Sequence, residues 1–449
     1  MESKEFKNKK IMVFGWARSG KAATQRLVEL RATVVVVNNS TFNKADEVYQ
    51  KLVNDGVIFI ENDSDNVLDS TFDYVIKNPG IKYETPIIQK AISLDIPILT
   101  EVEIALSSFE GKVVAVTGSN GKTTTTSLIR DMLLADNQSV VTAGNIGTPV
   151  CEVMTSLKET DILLLELSSF QLMGTPDIQP DIALITNIFS NHLDYHGNRE
   201  NYVNAKFQIT KNQTSNQILV LNAEGKDTAK FESDTHAKVI KFSSGNRENI
   251  VRISGDSLII DNEPLMPLTE IKLVGPHNLQ NILAAVTVAK QLQVSNLSIK
   301  KVLKEFGGVK HRLEYVGTYN QIKYYNDSKA TDIEATQTAL ESFQQPTIWL
   351  AGGLDRGDDL MRLLPDLLHV KLVIAFGETQ QKVVELARAA SKPVITVTSV
   401  KEAVPVANKC AESGDVVLLS PAAASWDQYE NFEIRGEEFV KELKQTLGV

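Results

Sequence analysis

Short apolar segments, separated by turns and helical stretches, recur along the chain. The first is Ile11–Phe14, which is followed by a glycine turn, a helical stretch over Lys21–Leu30 and a second apolar segment at Thr33–Val37. This succession predicts a strand, a helix and a second, parallel strand. Two further strands of the same sheet are predicted at Tyr74–Ile76 and Ile96–Leu99. The amino-terminal part of the chain is therefore expected to be of the α/β class.

A second series of apolar segments begins at Val113–Val116, which leads into another glycine-rich loop and a helical stretch over Thr123–Leu134. The next two predicted strands, Ile162–Leu165 and Ile182–Thr186, contain Ile, Leu and Val without polar alternation. Such composition is typical of parallel strands that are covered on both faces. Short β segments with turns are expected from about residue 216 to residue 273.

The last third of the chain repeats the alternation of strands and helices. Its predicted strands are Ile322–Tyr325, Thr347–Leu350, Leu372–Phe376, Val394–Val397 and Val416–Leu419. The pattern is that of a doubly wound sheet, and Gly307-Gly308-Val309 is interpreted as a linker. We therefore predict a Rossmann-like domain over residues 1–99, a central parallel-sheet domain over 100–309 and a second Rossmann-like domain over 310–449.

Length and composition agree with this organisation. The chain has 449 residues, enough for about three domains of roughly 150 residues each. Its formal net charge of −10 argues against a nucleic-acid partner, although it leaves local phosphate sites possible. Two cysteines, Cys151 and Cys410, exclude a disulfide framework. The polar stretch Met1–Lys10 lacks a signal-peptide core, and no apolar segment approaches the ~18 residues of a membrane span, so we expect a cytoplasmic protein.

The first glycine turn is Gly15-Trp16-Ala17-Arg18-Ser19-Gly20. Dinucleotide-binding folds have G-x-G-x-x-G here, with an acidic residue about 20 positions later. In this chain Ala17 replaces the middle glycine and Asn38 follows the second strand, so a nicotinamide-dependent dehydrogenase is disfavoured. The turn can still present amide groups to a phosphate, but a purely structural turn remains equally compatible with the sequence.

The second glycine loop, Thr117-Gly118-Ser119-Asn120-Gly121-Lys122-Thr123-Thr124, resembles a shortened P-loop. It follows an apolar strand and begins a helix, as a P-loop requires. The glycines allow backbone amides to approach phosphates, Lys122 supplies a positive charge, and the Thr123 hydroxyl can ligate Mg²⁺. The alternative, a chance Gly-Lys-Thr turn, does not explain the flanking strand and helix.

Three polar residues follow in the central domain. Glu166 ends an apolar strand, so its carboxylate is a candidate Mg²⁺ ligand at the carboxyl edge of the sheet, although alone it could be a solvated strand end. His192 lies in the loop beyond the next strand and is a candidate metal ligand or acid–base group. From residue type and position alone, Lys206 is interpreted as a solvated lysine on a helix.

Polar clusters also follow several strands of the last domain. They are His311-Arg312, Asn326-Asp327-Ser328-Lys329-Ala330-Thr331, Gly352-Gly353 with Arg356, and Ser420-Pro421-Ala422-Ala423-Ala424-Ser425-Trp426-Asp427-Gln428-Tyr429 with Asn431-Phe432 and Arg435-Gly436. Each cluster alone could be an ordinary capping turn. Several at one edge of a sheet make a binding face for an anionic substrate or a nucleotide the better interpretation.

Together these motifs resemble those of the Mur ligase family, which builds the peptide of bacterial cell-wall precursors. The resemblance covers essentially the whole chain, and the segments Asn326–Thr331 and Ser420–Tyr429 are characteristic of the member that adds D-glutamate. It implies a three-domain α/β fold with a central P-loop ATPase-type domain. It also implies a cytoplasmic, monomeric, ATP- and Mg²⁺-dependent acid–D-amino-acid ligase, whose substrates are UDP-N-acetylmuramoyl-L-alanine and D-glutamate.

The resemblance also assigns site residues. It implies catalytic roles for Lys122, Glu166, His192 and Lys206. It implies ATP contacts from Gly118, Ser119, Asn120, Gly121, Lys122, Thr123, Thr124, Asn281, Arg312 and Asp327. It implies metal ligation by Thr123, Glu166, His192 and a carbamylated Lys206. It implies contacts to the UDP-linked substrate from Arg18, Ser19, Asn39, Asn78, Gly80 and Asn145, and to D-glutamate from Lys329, Thr331, Ser425 and Phe432.

Two other functions remain open at this point. One is a different amide ligase of the same superfamily, such as another Mur ligase or a folylpolyglutamate synthetase. The other is a P-loop protein that uses nucleotide as a switch, which would need neither the His311–Thr331 cluster nor the Ser420–Arg435 cluster.

Overall fold

The computed structural model describes residues 6–61, 67–189, 193–245, 250–273 and 275–449. The main sheets are largely parallel and alternate with helices, which confirms the predicted α/β class. The chain divides into two compact units. The first comprises Met1–Leu268 and Gln280–Val302, and the second Thr269–Leu279 and Leu303–Val449. The limits of the three predicted domains remain a prediction.

The first sheet of the first unit is the one predicted from the amino-terminal pattern. Its elements are β1 (Lys10–Phe14), α1 (Arg18–Glu29), β2 (Thr33–Asn38), α2 (Glu47–Asn54), β3 (Ile58–Glu61), β4 (Tyr74–Lys77), α3 (Pro86–Ser93), β5 (Ile98–Leu99) and α4 (Glu101–Leu106). The strand order is β3-β2-β1-β4-β5, and all pairs are parallel. Phe14 pairs with Val37 on one side and Lys77 on the other, so the turns after β1 and β4 are neighbours at the carboxyl edge.

The second sheet contains the shortened P-loop. Its elements are β6 (Val113–Thr117), α5 (Lys122–Ala135), β7 (Val140–Gly144), α6 (Val150–Val153), β8 (Ile162–Glu166), α7 (Ser169–Leu172), β9 (Ile182–Ile185), α8 (Leu193–His196), α9 (Arg199–Phe207), β10 (Ile218–Asn222), α10 (Thr228–Asp234) and β11 (Lys238–Phe242). The order is β11-β10-β9-β6-β8-β7, with every pair parallel. The P-loop strand β6 therefore lies between β8 and β9, a position where parallel α/β sheets bind ligands.

A small antiparallel sheet and two helices follow along the chain. They are β12 (Val251–Ser254), β13 (Ser257–Ile260), β14 (Glu263–Pro267), α11 (Pro276–Gln291) and α12 (Asn296–Glu305). The expectation of short β segments between residues 216 and 273 was thus right in part. Strands β10 and β11 extend the parallel sheet, and only β12–β14 form the separate antiparallel one.

The second unit contains the sheet predicted for the last third of the chain. Its elements are β15 (Glu314–Tyr319), β16 (Ile322–Asn326), α13 (Ile333–Glu341), β17 (Thr347–Gly352), β18 (Val370–Phe376), α14 (Gln380–Ala389), β19 (Val394–Thr396), α15 (Val400–Cys410), β20 (Val416–Leu419) and α16 (Phe432–Leu447). The order is β15-β16-β20-β17-β18-β19, in which β15 alone is antiparallel to its neighbour. Because β20 lies between β16 and β17, the loops after these three strands are adjacent.

Both sheets of the first unit share one hydrophobic core. Val13 and Val36 of the first sheet belong to the same buried cluster as Leu163 and Ala183 of the second. Ile104 of α4, the helix that joins the two sheets in sequence, belongs to it as well. Continuous apolar burial of this kind explains why the two sheets form one compact unit. Within the described residues, no helix combines the length and apolar character needed to cross a bilayer.

Candidate active site

The shortened P-loop is packed so closely that two of its positions require glycine. Gly118 and Gly121 have φ of +146° and +79°. A β-carbon at Gly118 would lie 1.9 Å from Thr186 Oγ1, and one at Gly121 would lie 2.0 Å from Asn281 Oδ1. Replacement of either glycine by any other residue would therefore displace the loop. The same contacts bring Asn281 of α11, a predicted ATP contact, beside the loop.

The Thr186-Asn187 pair holds the loop from the neighbouring strand β9. The Asn120 amide donates to Asn187 Oδ1 at 2.9 Å, and the Thr186 hydroxyl donates to the Asn120 carbonyl at 2.8 Å. The Ser119 amide donates to the Asn187 carbonyl at 2.9 Å. The pair thus fixes the conformation of the loop from the segment that directly follows β9.

Lys122 begins helix α5, and its ammonium turns back over the loop. Its Nζ donates to the carbonyls of Gly118 and Ser119 at 2.9 and 2.8 Å. The N-cap of α5 is Gly121, which has no side chain with which to cap the amides of the first helical turn. A cation and helix-terminal amides at one loop form an environment that suits phosphate groups.

Glu166 lies beside the P-loop, because it pairs with Val116 of β6 in the sheet register. The residue is 1% exposed. Its Oε1 accepts from Asn145 Nδ2 at 2.9 Å, whereas its buried Oε2 has no hydrogen-bond partner in the part of the chain that the structure describes. An unpaired buried carboxylate oxygen is costly, and a cation would satisfy it. The burial contradicts the alternative of a solvated strand end.

The residues at this edge fit Mg²⁺. Magnesium binds a few oxygen ligands from the protein and completes its coordination with phosphates and water. Glu166, at the end of β8, and Thr123, in the first turn of α5, carry such oxygens. No group of three or more His, Cys, Asp or Glu side chains suited to a metal occurs among the described residues. His192, the other predicted ligand, lies outside the residues that the structure describes.

Lys206 corrects the interpretation from residue type alone. It is 2% exposed rather than solvated. Its Nζ donates to the Gly118 carbonyl at 2.8 Å, the same oxygen to which Lys122 donates, and lies 4.8 Å from the ring centre of Tyr202. Burial, and secondarily the charge of Lys122, holds the pKa of the Lys206 ammonium well below its usual range. The structure therefore favours a neutral amine at the P-loop.

An aromatic cluster supports Lys206 and the loop, and sequence reasoning missed it. The hydroxyls of Tyr202 and Ser119 are 2.8 Å apart. The His196 ring packs against Tyr202 and stacks on Phe170, and its Nε2 lies 3.0 Å from Ser169 Oγ. The sequence contains a signal for this cluster, which is the occurrence of Tyr195, His196 and Tyr202 within eight positions. Their contacts form only when α7, α8 and α9 pack together, so the sequence alone did not indicate them.

At the edge of the first sheet, two predicted substrate contacts come together. The Ser19 hydroxyl donates to Asn78 Oδ1 at 3.0 Å, and the backbone N–H of Asn78 donates to the Phe14 carbonyl at 3.1 Å. A β-carbon at Gly15, whose φ is +100°, would lie 2.6 Å from Asn78 Nδ2. The glycine turn after β1 and the turn after β4 thus form one surface. Asn39 and Gly80, two other predicted contacts, are exposed in the turns that follow β2 and β4.

Arg18 links the glycine turn to the loop after β7. Its guanidinium forms two 2.9 Å hydrogen bonds with the Glu152 carboxylate and donates to the Gly147 carbonyl. The hydrogen bond to Glu152 raises the pKa of the guanidinium further. Asn145, a predicted contact to the same substrate, lies in this loop and bonds Glu166. The predicted residues Arg18 and Asn145 are therefore brought to one side of the first unit.

In the second unit, Asp327 is buried directly after β16. Its two oxygens accept from the Leu313 amide at 2.9 Å and from the Ser420 hydroxyl at 3.0 Å. Burial raises the pKa of this carboxyl to about 7, although both hydrogen bonds and the charge of Arg312 act in the opposite direction. The buried Nε of Arg312 has no hydrogen-bond partner within the described parts of the chain.

Arg435 joins the three adjacent loops of the second unit. It is fully buried, and it donates to the Ser328 hydroxyl and carbonyl and to the carbonyls of Ala423, Ala424 and Gly352 at 2.9 to 3.4 Å. Burial lowers the pKa of the guanidinium to about 10. Sequence reasoning included Arg435 in a polar cluster but gave it no role.

The predicted D-glutamate contacts lie around the same loops. Lys329 Nζ lies 5.2 Å from the ring centre of Phe432, whose carbonyl accepts from the Ser328 hydroxyl. Ser425 is buried, and its carbonyl caps the turn that leads to Tyr429. The Thr331 carbonyl accepts from Arg356 Nη2 at 2.6 Å. Lys329 and Thr331 thus belong to the loop after β16, Ser425 belongs to the loop after β20, and Phe432 begins α16.

Two parts of the chain match models of known protein families. Residues 116–289 match the model of the Mur ligase middle domain, and residues 311–423 match the model of the Mur ligase glutamate ligase domain. The chain is 69% identical over 449 residues to the UDP-N-acetylmuramoylalanine–D-glutamate ligase of Leuconostoc citreum, with 100% of both chains covered. It is 49% identical over 449 residues to the ligase of that name from Oenococcus oeni, again with both chains covered completely.

Solved structures support the fold. The UDP-N-acetylmuramate–alanine ligase of Thermotoga maritima superposes with a TM-score of 0.59 at 20% identity, and 97% of this chain and 99% of that chain are covered. The MurF ligase of Thermotoga maritima in complex with ADP superposes with a TM-score of 0.55 at 18% identity, and 99% and 96% of the two chains are covered. The fold is thus shared along nearly the whole length of these chains.

Proposed function

Since the chain belongs to the Mur ligase family, we propose that it catalyses the ATP-dependent addition of D-glutamate to UDP-N-acetylmuramoyl-L-alanine in peptidoglycan precursor synthesis. The observation that carries the proposal is the buried edge at which Lys122, Glu166 and Lys206 meet the shortened P-loop. Full-length identity of 69% to a ligase with this named activity supports the choice of substrates. The alternative of a nucleotide switch leaves the polar loops of the second unit without a purpose.

The ATP phosphates would bind the loop Gly118–Thr124. The amides at the start of α5 and the Lys122 ammonium supply positive potential there. Lys122 would exchange its bonds to loop carbonyls for bonds to phosphate oxygens. We assign Asn281 to the nucleotide because it packs against Gly121 of the loop. We also assign Arg312, whose buried Nε is unpaired among the described residues, and Asp327, whose carboxyl is buried.

Thr123, Glu166, His192 and Lys206 would hold Mg²⁺, which neutralises phosphate charge when bound. Lys206 is suited to carbamylation, because only a neutral amine reacts with CO₂ and burial favours that form. Its nitrogen would form a bond to the carbon of CO₂ and lose a proton to solvent. The product is an anionic carbamate, which places a negative charge beside the Lys122 ammonium where a neutral amine stood before.

The two other substrates would occupy the remaining edges. We propose that the UDP-linked substrate contacts the turns of the first sheet and the loop after β7, through Arg18, Ser19, Asn39, Asn78, Gly80 and Asn145. D-glutamate would contact Lys329, Thr331, Ser425 and Phe432. Lys329 provides an ammonium for a carboxylate, and its position over the Phe432 ring restrains that ammonium.

The proposed reaction has two steps. A carboxylate oxygen of the alanine attacks the γ-phosphorus of ATP, and ADP leaves, which gives an acyl phosphate. The D-glutamate amine then attacks the acyl carbon, phosphate leaves and the amine loses a proton. The protein contributes positioning and charge neutralisation, which dominate catalysis of phosphoryl transfer.

The test is phosphate release with ATP, UDP-N-acetylmuramoyl-L-alanine and a panel of amino acids. We expect release with D-glutamate and little with L-glutamate, lysine or meso-diaminopimelate. A Lys122→Met variant serves as the matched control for contaminating ATPase. Release that needs no amino acid would instead identify a nucleotide switch. Release driven by a different amino acid would identify another ligase of the family, and folded protein without D-glutamate-dependent release would refute the proposal.

A further inference from the structure

Lys77, the last residue of β4, is an unusual buried cation in the first unit. It is 1% exposed. Its Nζ lies within hydrogen-bond distance of three carbonyls of the following turn, those of Asn78 at 3.2 Å, Pro79 at 3.0 Å and Ile81 at 2.7 Å. The fourth neighbour is the Tyr195 hydroxyl at 3.0 Å. Four oxygen atoms thus surround one ammonium group.

Lys77 could contact a phosphate of the substrate or could hold the backbone of its own turn, and this arrangement distinguishes the two roles. An ammonium has three donors, and the four oxygens already occupy them. Lys77 is therefore committed to the protein itself and is unsuited to contact a phosphate directly. Burial lowers the pKa of the Lys77 ammonium to about 8, so the cation is kept at a cost in free energy. The ammonium gives three converging carbonyl groups a common hydrogen-bond donor, and without it these carbonyls would repel one another.

The turn that Lys77 holds, Asn78–Ile81, is part of the proposed UDP-binding surface. Asn78 accepts from the Ser19 hydroxyl, and its side chain packs on Gly15 so closely that a β-carbon there would clash. A displacement of the turn would therefore also displace the glycine turn after β1.

Tyr195 extends the connection to the second sheet. Its hydroxyl donates to the Ile81 carbonyl at 2.9 Å, and its ring packs at 4.4 Å from the Phe170 ring. Tyr195 lies in α8, the next helix after β9 along the chain. Lys77 and Tyr195 thus join the edge of the first sheet to the segment beside the P-loop sheet.

We infer that Lys77 is a positioning residue, which holds the turn Asn78–Ile81 against the glycine turn and, through Tyr195, fixes both to α8. The inference rests on the proposed function in one respect, because the turn carries Asn78 and Gly80, which we assign to the UDP-linked substrate.

A Lys77→Met variant tests this role. Methionine fills similar space but leaves the three carbonyls without the ammonium. We expect the KM for the UDP-linked substrate to rise on the order of 10-fold or more, as for the loss of hydrogen bonds to a charged group, while the KM values for ATP and D-glutamate stay within about twofold. Lys82→Met is the matched control, because Lys82 directly follows this turn and is exposed. It should leave all three constants unchanged.

A second variant, Tyr195→Phe, keeps the ring and its packing on Phe170 and removes one oxygen from Lys77. We expect a smaller rise in the same KM, on the order of threefold. In the Lys77→Met background the same change should have a smaller effect than in the wild type, because the contact with Lys77 is already absent and only the bond from the Tyr195 hydroxyl to the turn remains to be lost.

Calorimetric titration with UDP gives a readout that does not depend on turnover. UDP should bind more weakly to both variants and normally to Lys82→Met. Unchanged UDP affinity and KM in folded Lys77→Met would overturn the inference; if that variant fails to fold, normal values in Tyr195→Phe would overturn it. A wild-type protein that binds UDP but lacks D-glutamate-dependent turnover would refute the proposed function instead, and the UDP titrations would still decide the role of Lys77.

Discussion

Replacement of Asp327 by asparagine should make the second unit more stable while it impairs activity. The pKa of this carboxyl rises from an ordinary 3.8 to about 7 because the group is buried. The folded state therefore binds more protons than the unfolded state between these pH values, and this contribution to stability is lost as the pH rises. A shift of about three pKa units corresponds to about 4 kcal/mol of destabilisation at pH 8.

Asparagine retains the shape and the hydrogen bonds of Asp327. Its carbonyl oxygen can accept from the Leu313 amide, and its amide group can donate to the Ser420 hydroxyl, which also acts as an acceptor. The substitution thus removes the buried charge without leaving a buried group unpaired. We expect the free energy of unfolding of the second unit to increase by about 2–4 kcal/mol at pH 8, and by less than half of that gain at pH 5. Turnover should fall, because we assign the carboxylate to the nucleotide.

Urea unfolding followed by hydrogen-exchange mass spectrometry measures this effect separately in each unit. Peptides from β16 and β20 report on the second unit, and peptides from β1 and β6 should be unaffected. Asp358→Asn is the control, since Asp358 is exposed in the same unit and should change stability by less than about 0.5 kcal/mol. The reasoning is refuted if Asp327→Asn is no more stable than the wild type at pH 8, or if its advantage grows as the pH falls.

Three further outcomes are expected. Glu166→Gln should lower turnover by on the order of 100-fold and raise the Mg²⁺ concentration needed for half-maximal rate, because a neutral amide replaces the buried carboxylate; an unchanged Mg²⁺ dependence would contradict the assignment. Lys206→Ala should be nearly inactive, and short carboxylic acids added to the assay should partly restore its rate by replacing the carbamate; full activity without them would exclude that role. Arg435→Lys should destabilise the second unit by about 2–3 kcal/mol and raise the KM for D-glutamate, because an ammonium cannot reach the spread carbonyls of Ser328 and Ala423 as the guanidinium does; exchange protection and KM equal to the wild type would argue against it.

Local sequence patterns were sufficient to predict most strands and the P-loop. Runs such as Val113–Thr117 and Val416–Leu419 are buried throughout, as expected of parallel strands that are covered on both faces. The short strands β3 and β7 escaped prediction, because their residues are largely half-buried and their composition is mixed. The P-loop was recognisable because its glycines, lysine and threonine are contiguous.

The resemblance to a known family then supplied residue roles that pattern alone could not. Lys206 illustrates the difference, since its residue type indicated a solvated lysine, whereas the family pattern made it a metal-site residue. The structure shows that the Lys206 side chain is buried against the P-loop, which is compatible with a metal-site residue and not with a solvated lysine.

The sequence by itself thus determined where most of the strands form, where the phosphate loop lies and that the chain is an acidic α/β protein. Tertiary structure decided which charged groups lose their water. Lys206 meets a carbonyl 88 positions away, Arg435 a hydroxyl 107 positions away and Lys77 a hydroxyl 118 positions away. Desolvation and hydrogen bonding across such separations depend on strand order and helix packing, which neighbouring residues do not encode. For that reason the chemistry of these cations could be read only from the folded chain.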